Sequence, residues 1–290
     1  MRWSFMLLCF IIIIGIVYFY ILRKKENTQE FFNQQSPFVM KTNENIYDDF
    51  YAKLNDTFYD NKKTSNYMYN LILANTAPTE YSRILDIGSG TGELVNEFIT
   101  NGFNAEGVDH SSSMIQCSKE KYDYLPVKCG EATDSLNYEN QTFTHITLLG
   151  LTIYEIKDIN CLMRNVYGWL LHNGYFIVHL VDKDKYNPLI PICNPLTDDN
   201  FQKYTTKRIT RGKIDFGDFV YNQNVDFSKA DEVVIEESFT NKSVRKQEHT
   251  LYMKDMKDMI STICNYGFIV KGKVELQMDS HQYIYIFEKI

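Results

Sequence analysis

Residues 84–93 read Ile-Leu-Asp-Ile-Gly-Ser-Gly-Thr-Gly-Glu, three glycines at alternate positions behind one acid. Glycine allows close approaches that a Cβ forbids, so Gly88, Gly90 and Gly92 would let a ligand reach the main chain. A helix opening near Gly92 would offer unpaired amides to a polar group. Asp109 follows Gly92 by 17 residues, at the end of the next expected strand. An acid in that position accepts hydrogen bonds from the hydroxyls of a ribose. The spacing separates two cofactor classes. Dinucleotide loops use Gly-x-Gly-x-x-Gly to seat a pyrophosphate, whereas here the order is Gly-x-Gly-x-Gly behind Asp86. A carboxylate at that point would repel a pyrophosphate and suits the ammonium of a methionine moiety. An NAD-type oxidoreductase is therefore disfavoured.

The loop needs a strand before it and a helix after it, and the surrounding pattern supplies both. Short apolar runs at 82–87, 105–108, 126–128, 144–149 and 175–181 read as strands. Helical stretches at 93–100, 113–121 and 158–171 alternate with them, the last ending at an Asn173-Gly174 turn. Such alternation implies right-handed βαβ units and a parallel sheet covered on both faces. Ahead of this block, Ile46, Phe50, Leu54 and Phe58 recur at helical spacing, and a second helix spans about 65–74. After Asp182 the rhythm changes to β-rich runs at 207–214, 218–227, 232–240 and 244–252, which suggests an antiparallel insert. A helix at 256–265 and strands at 268–276 and 282–288 close the chain.

At these residues the sequence resembles the class I S-adenosylmethionine-dependent methyltransferases, over about residues 46–290. Residues 84–92 look like the family's first motif, whose acid and glycines bind the methionine portion. Gly107-Val108-Asp109-His110-Ser111 looks like the second, which assigns the ribose to Asp109. Cys129-Gly130-Glu131-Ala132 resembles the third, beside adenine, with a longer acid than usual. Phe143-Thr144-His145-Ile146 stands where many members have Phe-Asp, so Thr144 replaces an aspartate. Residues 171–175 resemble the turn before the fifth strand, with substitutions. The resemblance implies S-adenosyl-L-methionine as cofactor, contacted by Tyr51, Asp86, Gly88, Ser89, Gly90, Gly92, Asp109, His110, Met114, Glu131, Ala132 and Leu149. The insert resembles the lids of small-molecule methyltransferases such as the glycine N-methyltransferase group, where an N-terminal helix with tyrosines, here Tyr47 and Tyr51, closes over the cofactor.

Methyl transfer from a sulfonium is an in-line displacement with a donor already activated, so alignment and exclusion of water matter more than a dedicated base. The expected acceptor pocket lies after the fourth and fifth strands of the sheet, at Gly150, Leu151, Tyr154, His179 and Asp182. Tyr154 and His179 are the candidate catalytic residues. No Asn-Pro-Pro-Tyr-type motif follows the fourth strand, which argues against methylation of adenine, cytosine or glutamine amides. The altered fourth motif leaves a second reading, a tethered binding module without turnover.

The chain has 290 residues, 44% hydrophobic and 23% charged, with a net charge of -7. That usage builds a sizeable core, and the acidic balance disfavours nucleic acid as partner. Six cysteines, at 9, 117, 129, 161, 193 and 264, form no CxxC pair and have no histidine at metal-ligand spacing. They read as reduced core thiols, with no metal site. Residues 3–22 carry no charge, and Arg23, Lys24 and Lys25 follow. Twenty residues at about 1.5 Å each cross about 30 Å of hydrocarbon. The expectation is a transmembrane anchor over 1–25, a linker over 26–45 and a methyltransferase domain over 46–290, with an antiparallel β insert or lid at 182–252. The basic residues after the span place that domain on the cytosolic side of the membrane. Acceptors left open are a small molecule, a lipid or a protein.

Overall fold

The computed structural model describes residues 36–59, 61–188, 204–276 and 281–290. The expected anchor at 1–25, with Cys9 inside it, and Cys193 lie outside the described residues. Among those described, no helix is long and apolar enough to cross a membrane.

A short strand β1 (Phe38–Thr42) leads through a 3-10 turn (Asn43–Ile46) into helices α1 (Asp49–Tyr59) and α2 (Asn61–Thr76). The alternating block follows: β2 (Arg83–Ile87), α3 (Glu93–Thr100), β3 (Asn104–Asp109), α4 (Ser112–Lys121), β4 (Val127–Cys129), β5 (Phe143–Leu148), α5 (Ile159–Trp169) and β6 (Leu170–Val181). Strands β7 (Arg211–Asp215), β8 (Val220–Asp226), β9 (Val233–Thr240) and β10 (Val244–Leu251) form the insert. Helix α6 (Met256–Cys264) and strands β11 (Phe268–Glu275) and β12 (Gln282–Lys289) end the chain.

The central sheet has seven strands in the order β11-β12-β6-β5-β2-β3-β4. Strands β2 to β6 pair in parallel, and β12 runs antiparallel to both β6 and β11. Successive side chains of a strand point to opposite faces, and the apolar runs of the parallel strands cover both. On one face Leu85, Ile87, Ile146, Leu148, Val178 and Leu180 pack on α5 and α6 through Leu162, Val166, Trp169 and Ile263. On the other, Ile84, Ile177, Ile284 and Ile286 meet Ile72 of α2 and Leu94 and Phe98 of α3.

Two local expectations need correction. Helix α5 stops at Trp169, and the Asn173-Gly174 pair lies inside β6 rather than in a loop before it. Asn173 has φ +62°, and a Cβ at Gly174 would come within 2.8 Å of the Leu171 carbonyl, so the pair makes a tight bend within the strand. The segment 26–45 is not all linker, because Phe38–Thr42 adds to the insert. There it pairs in parallel with β10, giving a five-stranded sheet of order β1-β10-β9-β8-β7. No residue of β1 is buried. Its hydrogen bonds to an otherwise free edge hold it, and these leave no hydrophobic alternation to read.

Arg245 fastens this sheet to the chain before α1. It is 2% exposed, donates from Nη1 to Asp48 Oδ2 at 2.9 Å and from Nη2 to the Ile46 carbonyl at 3.1 Å, and lies 4.5 Å from the Phe50 ring centre. Its Nε donates to Gln247 Oε1, Gln247 Nε2 donates to Glu237 Oε2, and the Tyr221 hydroxyl donates to Glu237 Oε1. Burial works against the charge on Asp48, but the pairing with Arg245 outweighs it and holds the carboxyl below its usual range. Arg245→Ala is expected to destabilise the fold by about 2 kcal/mol or more in urea unfolding, since it strands a network of buried polar groups. Lys41→Ala, which removes a part-exposed partner of the same Asp48, should cost less than about 1 kcal/mol. Equal losses in the two variants would contradict this assignment.

Candidate functional site

The glycine loop is built by its backbone. Gly88 and Ser89 both donate their N–H groups to the Val108 carbonyl, at 2.8 and 3.1 Å, which ties the loop to β3. Gly88 has φ +69°, and a Cβ there would stand 2.7 Å from the Thr152 side chain. That glycine therefore serves packing against the loop after β5. Gly90 has φ +52° with open space where a Cβ would be, so its conformation alone requires glycine and its ligand side is clear. No side chain caps α3 at Gly92. Glu93, buried in the first turn, pairs with Lys121 and accepts from the Tyr122 hydroxyl, which holds α3 against the end of α4.

Asp109 ends β3. Its Oδ2 accepts the Gly90 N–H at 2.9 Å and its Oδ1 the Ser111 N–H at 2.8 Å, so one carboxylate spans both loops at the carboxyl edge of the sheet. Asp86 lies under the glycine loop, 6% exposed, and accepts from the Thr147 hydroxyl at 2.6 Å. Burial, reinforced by the nearby Asp109 charge and opposed by Thr147, pushes its carboxyl up to about 7.

A cleft of about 290 Å³ opens above these strand ends. Of the expected cofactor contacts, Gly88, Asp109, His110, Glu131 and Ala132 line it, with Ile87, Val108 and Ile156 as apolar walls. Glu131 is exposed at the rim, and among the described residues His110 Nε2 has no hydrogen-bond partner. The rest of the expected set stands behind this front. Ser89 packs under the loop against Gly107, and Met114 is buried at the start of α4 with its N–H on Ser111 Oγ. Leu149 packs with the core on the α2/α3 face, and Tyr51 stacks edge-on against Tyr47 at 5.3 Å.

Both candidate catalytic residues are core residues. Tyr154 is fully buried and its oxygen accepts the Val181 N–H at 3.0 Å, so it pins the loop after β5 to β6. Burial raises its hydroxyl above the usual tyrosine range. His179 is 6% exposed within β6, and burial lowers its imidazole to about 4 against a side-chain bond to Gln282. Neither lines the cleft. An apolar strand end looks the same in sequence whether its polar residue faces a ligand or the next strand. Nor does Asp182 line it: its carboxylate pairs with Lys185. The cysteines also differ from expectation, since Cys129 is exposed at the end of β4.

A titratable group missed in the sequence faces the cleft instead. Glu155 Oε1 accepts from the Tyr47 hydroxyl at 2.6 Å and lies 3.9 Å from His249 Nε2 of β10. The Tyr47 ring also meets the rings of His110, at 5.3 Å, and His249, at 5.9 Å. Burial pushes the Glu155 carboxyl up to about 7, against the Tyr47 bond and His110, and with the Asp109 charge adding to the rise. His249 is pushed down to about 4 by burial. Glu155 directly follows Tyr154, but only tertiary contact brings Tyr47, from ahead of α1, and His249, on β10, to it.

The fourth-motif exception is local. Thr144 Oγ1 accepts the Arg83 N–H and donates to the Arg83 carbonyl, at the starting ends of β5 and β2. It is away from the edge that carries the cleft.

The raised acids fix the sign of a pH effect. The folded chain keeps protons on Asp86 and Glu155 that the unfolded chain releases from about pH 4 upward. Their contribution to stability therefore falls as pH rises towards 7 and is level above it. Asp86→Asn should shrink the drop in melting temperature between pH 5 and pH 8. The same drop in variant and wild type would contradict the buried ionisation.

Residues 84–174 match the family model described as a methyltransferase domain. No curated protein sequence matches the chain. Among solved structures, an S-adenosylmethionine-dependent methyltransferase from Clostridium acetobutylicum superposes with TM-score 0.61 at 18% identity, covering 82% of this chain and 96% of its own. The amino pentose methyltransferase CalS10 from Micromonospora echinaspora superposes with TM-score 0.57 at 14% identity, covering 79% and 91%. The sugar N-methyltransferase KedS8 from Streptoalloteichus gives TM-score 0.52 at 15% identity, covering 77% and 85%. Residues 84–174 are thus similar to a methyltransferase domain, and the fold is that of the S-adenosylmethionine-dependent methyltransferases on which the chain superposes.

Proposed function

We propose that the chain transfers the methyl group of S-adenosylmethionine to a small-molecule acceptor in the cleft between the glycine loop and the five-stranded sheet. The observation that carries this reading is the convergence of Asp109 and Glu131, from the ends of adjacent strands, on one cleft with the glycine loop. The residues fit the donor. Asp109 would take the ribose hydroxyls, the walls Val108, Ala132 and Ile156 with Glu131 the adenine, and the uncapped start of α3 the methionine carboxylate. His110 Nε2 offers an unused polar atom to the same ligand. Bound there, the donor supplies a methyl group already activated on a cationic sulfur. The chain has to bind, align and exclude water, which the five-stranded sheet does by roofing the cleft with His249, Thr250 and Tyr252.

The charge-free run at 3–22 and the basic residues after it support a membrane anchor with the catalytic domain on the cytosolic side. Methylation would then take place beside a membrane. The reading without turnover loses its support, because Thr144 serves strand pairing away from the cleft.

Asp109→Ala should weaken S-adenosylmethionine binding by about tenfold or more in calorimetric titration, since charge-assisted hydrogen bonds are each worth about 1.5–3 kcal/mol. Unchanged affinity would remove Asp109 from the donor site.

A further inference from the structure

We propose that Glu155, with Tyr47 and His249, binds a basic nitrogen of the acceptor, which makes the acceptor a small molecule carrying a primary or secondary amine. The inference rests on the methyltransferase reading above and names its substrate class. Three separate segments build the point: Tyr47 ahead of α1, Glu155 after β5 and His249 on β10 of the roof. One of the Glu155 oxygens takes the Tyr47 hydroxyl at 2.6 Å, and among the described residues no hydrogen bond satisfies the other.

The surroundings select charge. Besides Asp109 and Glu131, which are assigned to the donor, Glu44 and Asp158 line the same cleft with Glu155, against Lys157 alone. A carboxylate acceptor would meet like charges, whereas an ammonium meets acids. The proton balance points the same way. An ordinary aliphatic ammonium loses its proton near pH 10, and beside the Glu155 carboxylate that proton has a receiver, leaving a lone pair on nitrogen. The nitrogen then forms its bond to the methyl carbon as the carbon–sulfur bond breaks and the electron pair stays on sulfur. The positive charge passes from sulfur to the methylated nitrogen. An aliphatic alcohol has no such route, because the groups facing it are a weakly basic carboxylate, a neutral His249 and the hydroxyl of Tyr47.

The test uses the full chain with matched pairs, tyramine against tyrosol and glucosamine against glucose. Binding is followed by saturation-transfer NMR and calorimetry, with and without S-adenosylhomocysteine. Amines should bind at least about tenfold more tightly than their alcohol partners, with affinity rising through pH 7 as Glu155 ionises. In Glu155→Gln both the preference and the rise should vanish. Amines that bind no better than alcohols, or a preference that survives in Glu155→Gln, would overturn the proposal. Should Glu155→Gln not fold, Tyr47→Phe keeps the test alive. Loss of its hydrogen bond must move the pH midpoint of amine binding upward, and an unmoved midpoint counts against the site. Failure to bind S-adenosylhomocysteine would count against the methyltransferase reading, while the amine comparison without it still decides this one.

Discussion

At the carboxyl edge of the seven-stranded sheet, the Asp109 carboxylate holds the Gly90 N–H on one oxygen and the Ser111 N–H on the other. The glycine loop is thereby fixed to the start of α4, and both are fixed to β3. Ser111 in turn donates from its hydroxyl to the Tyr47 carbonyl at 2.5 Å, so the same chain of bonds reaches the segment ahead of α1. Tyr47 then bonds to Glu155. A single acid at a strand end thus connects the glycine loop to the Glu155 carboxyl at the cleft.

The second structural commitment is the roof. The four strands inserted after β6 would be free to swing if only their two chain connections held them. Arg245 removes that freedom by binding the segment between β1 and α1 from beneath the sheet, and β1 itself supplies the edge strand. The residues that fasten the roof, Ile46 and Asp48, flank Tyr47, which bonds to Glu155 at the cleft. A disturbance at Arg245 should therefore be felt at the cleft.

Much of this was legible in the sequence, for identifiable reasons. The alternation of buried strands and amphipathic helices gave the sheet and its helices to within a few residues, with α3 at 93–100 as expected. The loop and Asp109 fall where their spacing placed them, between β2 and α3 and at the end of β3. Beyond that range the reading failed. Tyr154, in the turn after β5, and His179, near the end of β6, both turn into the core, and composition does not record which way a side chain faces. Glu155, Tyr47 and His249 are far apart in the chain, and only tertiary contact through the roof unites them. Strand β1 was missed because edge hydrogen bonding, rather than burial, makes it a strand.

The central claim is that S-adenosylmethionine lies across the glycine loop, the end of β3 and the end of β4. Hydrogen–deuterium exchange of the full chain, with and without the donor and separately with NAD, tests it directly. The account predicts that S-adenosylmethionine slows exchange in the amides of 88–95, 109–114 and 130–133, while NAD leaves them unchanged. Protection confined to other segments, or equal protection by NAD, would contradict it.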